Sequence, residues 1–271
     1  MRFRPAALAA AVLIATGLAP MDSASAAGPP AWAPIDSAAI HPGTPTVSGD
    51  AGCTANFVYI DKTGAVYIGQ AAHCTSTSEE LVSANGCTTG SLPLGTSVSL
   101  GPSGVTGTLA YSSWLTMQKV GEKDETTCLS NDLALVKIPP SAVSMVNPSV
   151  PVFGGPVGVS SGEAEIGERV YGYGSSDLRG GIETPQQGLV IETEPGSWSH
   201  LVYLLPPGVP GDSGGGLLDG QGRAFGILAS LNTLPPASNG VCDFAKALAY
   251  AQAHSGIKGL ELVPGTEPFS G

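Results

Sequence analysis

The sequence predicts an all-β protein: two antiparallel β units, a proline-rich linker between them, and one helix at the C-terminal end. Three observations predict it. Glycine (38) and proline (23) are abundant while charged residues are only 12% of the 271 residues, a composition suited to short strands joined by tight turns. Short β-rich runs recur along both halves, each bounded by turn residues. Between the halves, Pro139-Pro140 opens a Ser/Val/Pro/Asn stretch that ends near Pro151, where neither a strand nor a helix would continue.

The chain opens with an export pattern. Arg2 and Arg4 give a positive start, an apolar run covers 6–18, and Ala24, Ser25, Ala26 and Ala27 offer small residues for cleavage. The run is short for a membrane span, so residues 1–27 are expected to be a signal peptide and the mature protein secreted and extracellular. Losing Arg2, Arg4 and Asp22 moves the formal charge from −11 to −12. Such acidity argues against nucleic acid and anionic membrane surfaces as partners. The roughly 240 remaining residues can bury a real core, either as one large β unit or as two small ones.

Residues 28–48, rich in Pro, Ala, Ser and Thr, are expected to form a flexible segment or a short pro-region. Strand candidates follow at 56–61 and 65–69 around Lys62-Thr63-Gly64, and at 96–100 and 105–111 around Gly101-Pro102-Ser103-Gly104, both hairpin signals. The compact apolar run at 133–138 reads as a buried strand. The second half offers strands at 169–173, 188–192, 201–205, 215–218 and 224–229, the last two joined by Gly220-Gln221-Gly222. The one convincing helix covers 244–253, with Asp243 placed to cap it. The expected divisions are 49–140 and 152–242 for the two β units, 141–151 for the linker, 243–256 for the helix and 257–271 for a tail.

Three local strings carry chemistry. Gly211-Asp212-Ser213-Gly214-Gly215 places a serine on a backbone that glycine frees to turn sharply, with N–H groups available to an oxyanion. Ala71-Ala72-His73-Cys74 puts a histidine just after a strand, and histidine is the side chain that serves as a base near neutral pH. Asn131-Asp132-Leu133-Ala134-Leu135 sets an aspartate at the mouth of a buried strand, where its carboxylate could hydrogen-bond an imidazole. His41, His200 and His254 have no comparable surroundings. The five cysteines, Cys53, Cys74, Cys87, Cys128 and Cys242, match neither a zinc ribbon nor a Cys-x-x-Cys redox pair. Disulfides suit an exported chain, and an odd count leaves at least one cysteine free or paired between chains.

Taken together and in the order His73, Asp132, Ser213, these strings resemble the chymotrypsin-like (trypsin-like) serine peptidases, especially the short secreted bacterial ones. The matching strings are AAHC at 71–74, NDLALVKI at 131–138 and GDSGGG at 211–216, and the resemblance spans roughly 53–253. It implies two antiparallel six-stranded β-barrels with the site in the cleft between them. It implies a serine endopeptidase with Ser213 as nucleophile, His73 as general base and Asp132 as its orienting group. Gly211 and Ser213 would form the oxyanion hole, and Cys53 would bridge Cys74. Cys87 and Cys128 both fall in the first barrel and are paired on that ground, leaving Cys242 free, with a bridge from Cys242 as the alternative. The family's buried aspartate beside the serine, here Asp212, needs a cationic partner. No new amino terminus of the Ile-Val-Gly-Gly type is in sight, and Arg169 is the expected internal substitute.

The substrate-binding positions implied by the resemblance are Pro207, Gly208, Ser230, Asn232 and Gly240. Nothing acidic stands at Pro207 or Gly240, so a preference for uncharged or apolar residues is expected. The expected partner is a polypeptide substrate. No cofactor, metal, nucleic acid or membrane partner is expected, and the chain is expected to act as a monomer. An α/β-hydrolase is disfavoured, because that fold wants Gly-x-Ser-x-Gly and the order serine, acid, histidine. A non-catalytic binding module of the same fold is the remaining alternative, disfavoured because all three chemical residues are present.

Overall fold

The computed structural model describes Met1 and residues 30–78, 84–160, 164–234 and 237–271. The expected signal peptide, Met1 aside, lies outside the described residues. The first half contains β1 (Pro45–Ser48), β2 (Ala51–Thr54), β3 (Val58–Ile60), β4 (Val66–Gln70), β5 (Ser97–Leu100), β6 (Val105–Ser112), α1 (Ser113–Val120), α2 (Glu125–Ser130) and β7 (Ala134–Lys137). The second half contains β8 (Arg169–Gly174), β9 (Thr184–Glu192), β10 (Ser199–Leu205), β11 (Gly216–Asp219), β12 (Ala224–Asn232) and β13 (Ser238–Asp243), followed by α3 (Phe244–His254) and β14 (Glu261–Leu262).

Strands β8 to β13 close into a six-stranded barrel in the order β10-β13-β12-β11-β8-β9. The first half forms an eight-stranded sheet in the order β14-β3-β4-β7-β6-β5-β1-β2. Six strands were expected there; the additions are β14 from the C-terminal tail on one edge and β2 on the other. Alternation shows how the sequence builds these sheets. Along β10, His200, Val202 and Leu204 point inward while Tyr203 and Leu205 face out, the period-two rhythm of a half-buried strand. The turn between β3 and β4 is closed by Asp61, whose carboxylate accepts from the Thr63 and Ala65 amides at 2.7 and 3.1 Å.

Three apolar clusters follow from this layout. One fills the first unit, with Ile68, Leu100, Leu109 and Val136. Another fills the second barrel, with Val170, Val202, Leu217 and Phe225. The third joins the two units: Phe57 and Tyr59 from the first half meet Ile227, Phe244 and Leu248 from the second. Helix α3 buries Phe244, Ala247, Leu248 and Ala251 there, and Asp243 caps it by accepting from the Lys246 amide. Phe57 meets Phe244 edge to face at 5.0 Å between centroids.

The structure corrects several expectations. The segment expected to be flexible is packed from residue 30 onward: Ile40 is fully buried, the Ala33 amide donates to Val146 O at 2.8 Å, and β1 pairs with both β2 and β5. Its many small polar residues suppress the apolar rhythm, but Ile40 and Ala33 are enough to dock it. Helices α1 and α2 were also unforeseen. Ser112 and Asp124 cap them and Gly121 ends the first in a left-handed conformation; each is too short for periodicity to reveal. The tail at 257–271 is an integral part of the fold. After β14 it crosses to the linker, where Ser149 Oγ accepts from Glu267 N at 3.0 Å, and beyond it Glu267 O accepts from Gly155 N at 3.0 Å and Phe269 meets Tyr171 at 5.4 Å.

Candidate active site

His73 lies in the short helical turn Ala72–Thr75 that follows β4. Asp132 sits between α2 and β7. The turn that presents Asp132 is bracketed by Ser113, whose hydroxyl donates to Asn131 O at 2.8 Å and accepts from the Leu133 amide at 3.2 Å. The Asp132 carboxylate reaches His73 twice. Oδ1 accepts the His73 backbone N–H at 2.8 Å, and Oδ2 lies 2.7 Å from Nδ1. This pairing puts the Nδ1 proton against the carboxylate and leaves Nε2 with its lone pair free. Burial pulls the His73 pKa down, but the Asp132 charge and hydrogen bond oppose it, and the net shift is upward from 6.5.

The loop carrying Ser213 is held from both halves of the chain. From β2, Thr54 N donates to Ser213 O at 2.8 Å and Thr54 Oγ1 donates to Gly211 O at 2.8 Å. Nearby, fully buried Asn56 donates to Gly214 O at 3.0 Å. From the second half, Leu228 O accepts Gly214 N at 2.7 Å, and Ser176 Oγ donates to Pro210 O at 2.5 Å. Gly214 is required: with φ of 90°, it passes so close that a Cβ would stand 2.6 Å from Ala71 N and Thr54 O. This approach also brings the loop against the strand end that leads into His73. Among the described residues no hydrogen bond joins Ser213 Oγ to the His73 ring, and the Gly211 and Ser213 N–H groups have no protein acceptor.

Cys53 is bonded to Cys74, and Cys87 to Cys128; Cys242 is free and buried. The Cys53 and Cys74 sulfurs and the His73 ring lie within 4.8 Å of one another, but the sulfurs are joined to each other and are therefore not thiolate ligands for a metal.

Asp212 is fully buried, and its partner is Arg179, not Arg169. Its remaining donors are Ser176 N at 3.1 Å, Val209 N at 3.0 Å and Gln186 Nε2 at 3.2 Å. Arg169 stands exposed at the opposite end of β8, in register with Leu189. Five residues of strand separate it from Gly174, about 17 Å, and it is Gly174 whose Cβ would collide with the Asp212 carboxylate. The usable arginine is the one in the turn after β8, where Gly180 and Gly181 both take positive φ.

Of the expected substrate-binding residues, the structure groups Gly208, Ser230 and Gly240 around buried Asn239. The Asn239 side chain accepts from Gly208 N at 3.0 Å and donates to Gly208 O at 2.9 Å and Ser230 O at 3.1 Å. Ser230 pairs with Gly240 across β12 and β13, and Asn232 pairs with Ser238 at the far end of the same ladder. Pro207 is exposed beside this group. Thr54, Asn56, Ser176, Arg179, Gln186 and Asn239 escaped sequence reasoning. Each works through a contact distant in the chain, so no local string marks it. His200 meets a carboxylate as well, Asp243 at 3.1 Å, with Thr193 on its other nitrogen at 2.8 Å. His200 is buried and Asp243, the α3 cap, is half-buried.

No protein-family model and no curated protein sequence matches the chain. Solved structures do. Protease A from Thermobifida fusca aligns over 83% of this chain and 99% of its own, at 20% identity and a TM-score of 0.53. A Nocardiopsis protease aligns over 82% and 98%, at 18% identity and a TM-score of 0.51. The likeness is one of fold: this chain is built on the two-barrel architecture of the bacterial chymotrypsin-like serine proteases.

Proposed function

We propose that the protein is a serine endopeptidase that cleaves polypeptides through an acyl-enzyme on Ser213. The observation that carries this reading is the His73–Asp132 pair, doubly bonded at 2.7 and 2.8 Å, beside a loop whose serine is flanked by glycines in positive φ. Ser213 Oγ attacks the substrate carbonyl carbon while His73 Nε2 takes its proton. The Gly211 and Ser213 N–H groups receive the oxyanion. The Asp132 carboxylate stabilises the imidazolium. When the tetrahedral species collapses, the C–N bond breaks and His73 returns the proton to the leaving amine. A water then enters by the same route, and hydrolysis of the ester frees Ser213. The bond from Ser213 to His73 belongs to the substrate complex, since such contacts tighten on binding.

The residues grouped by Asn239 form the primary specificity region. Pro207, Gly208, Ser230 and Gly240 supply no negative charge to select Lys or Arg, so the preference is for uncharged or apolar residues at the cleaved bond. Two disulfides suit an oxidising, extracellular location, in line with the export pattern. The expected form is a monomer.

A peptidyl phosphonate ester tests the chemistry. It is expected to label Ser213 and to fail with Ser213→Ala or His73→Ala protein of unchanged melting temperature. Absence of both labelling and peptide cleavage by the folded parent protein refutes the endopeptidase reading. A peptide library that returns Arg or Lys at the cleaved bond refutes the pocket reading alone.

A further inference from the structure

We propose that Ser176 is a positioning residue for the oxyanion-binding peptide: its hydroxyl fixes the Pro210 carbonyl and thereby aims the Gly211 N–H into the site. The proposal rests on the endopeptidase reading above.

The argument begins with the peptide plane. In a trans peptide the carbonyl and the N–H point in opposite directions. Whatever holds Pro210 O therefore sets where the Gly211 N–H points. Ser176 Oγ holds it at 2.5 Å. The same oxygen accepts from Leu178 N at 3.1 Å, while its one hydrogen goes to Pro210 O, which can only accept. Ser176 is itself fully buried and anchored through its own N–H to Asp212 Oδ1 at 3.1 Å.

A lock is needed because Gly211 supplies no stiffness. Its φ is 99°, and glycine takes positive and negative φ about equally readily. A rotated 210–211 peptide, with the N–H turned inward, is therefore not opposed by the residue itself. A side chain at Gly211 would not supply the lock, because residues other than glycine rarely adopt φ of 99°, and a Cβ there would stand 3.0 Å from Ser176 Oγ and 3.1 Å from Ser176 Cα. The close contact with Ser176 and the freedom of Gly211 come together, and the Ser176 hydroxyl resolves the ambiguity. The second oxyanion peptide has a different support: Asp212 O accepts Gly215 N at 3.0 Å within the loop. Ser176 therefore controls one donor of the two.

The test compares Ser176→Ala, Ser176→Thr and Ser176→Cys on a peptide ester and its thionoester. Sulfur is a poor hydrogen-bond acceptor, so the ester-to-thionoester rate ratio reports on the oxyanion donors and ignores general folding defects. Complete loss of one donor costs about 10²–10³ in kcat, and loss of a single buried hydrogen bond sets a smaller shift. For Ser176→Ala, kcat on the ester is expected to fall by about 10- to 100-fold with KM within about 3-fold. The rate ratio should fall by a similar factor, and Ser176→Thr should restore most of both. Ser176→Cys, a weak donor of similar size, should fall in between, and it carries the test if Ser176→Ala does not fold. An unchanged ratio in the folded Ala or Cys protein overturns the proposal even if kcat drops. If the parent protein hydrolyses neither substrate, the endopeptidase reading fails first and the proposal fails with it.

Discussion

Replacing Arg179 by alanine breaks the Arg179–Asp212 charge pair beneath the Ser213 loop. Asp212 is fully buried and the Arg179 side chain is 19% exposed, so the pair is screened only from one side. Removing one partner of a buried pair costs about 3–5 kcal/mol, because the other charge is left in low dielectric. Asp212 keeps three donors, Ser176 N, Val209 N and Gln186 Nε2, which places the expected loss near the lower end, about 3 kcal/mol. For a chain of this size each kcal/mol moves the melting temperature by about 2–4 °C, so a drop of about 6–12 °C is expected. Arg169→Ala is the matched control. It removes the same group from an exposed strand position and should stay within about 0.5 kcal/mol of the parent. Catalysis should separate the two as well: when Asp212 shifts, the neighbouring oxyanion peptides lose their alignment, and kcat/KM should fall by about 10²-fold or more. Thermal melts and steady-state kinetics on both variants decide the matter. An Arg179→Ala protein that melts within about 2 °C of the parent with full activity, or an Arg169→Ala protein equally damaged, refutes the assignment.

The geometry also sets the pH dependence, the disulfide contributions and the reactivity of Cys242. The His73 pKa is raised above 6.5 and the base must be neutral, so kcat/KM should climb with pH through a midpoint above that value. The stability that the charged His73–Asp132 pair adds is, by contrast, full below 6.5 and lost as pH rises through the folded pKa. Asp132→Asn should cut kcat by about 10⁴ and move the midpoint down; an unmoved midpoint contradicts the pairing. Loop closures of 21 and 41 residues give roughly 3 kcal/mol for Cys53–Cys74 and 4 kcal/mol for Cys87–Cys128 on the chain-entropy account, measurable by denaturant melts of the paired Cys→Ala variants. Burial pushes the Cys242 thiol well up, so iodoacetamide should leave it unmodified in the native protein and alkylate it in denaturant; rapid native labelling would show that this core opens.

What the sequence reveals here depends on how far a signal reaches along the chain. The strings around His73, Asp132 and Ser213 are legible because turn, strand and chemistry coincide within five residues. The Asp243 cap and α3 are legible for the same reason. The choice between Arg169 and Arg179 is not, because it turns on which end of β8 lies beside Asp212, a question of sheet register. Asn239 is hidden in the same way, as an ordinary polar residue in a strand until β12 and Gly208 are brought to it. The packing of 30–48 and of the tail was invisible because each contributes only a few apolar anchors, Ile40 in one and Leu260, Val263 and Phe269 in the other. Ile40 docks against Asn147 and Val263 against Val58, partners more than a hundred positions away.

The way the site is held explains why polar residues, rather than the apolar core, carry its alignment. The cluster around Phe57, Ile227 and Phe244 brings the two halves together, but apolar contact is nearly indifferent to small rotations of a peptide plane. The proposed function needs particular carbonyls of the Ser213 loop turned away so that particular N–H groups face the substrate. Hydrogen bonds are directional enough to impose that. Thr54 holds Gly211 O and Ser213 O, Asn56 holds Gly214 O, and Ser176 holds Pro210 O. The first two donors come from the unit that also carries His73 and Asp132. The same bonds that aim the loop therefore fix its distance from His73, and a change at Thr54 or Asn56 acts on both at once.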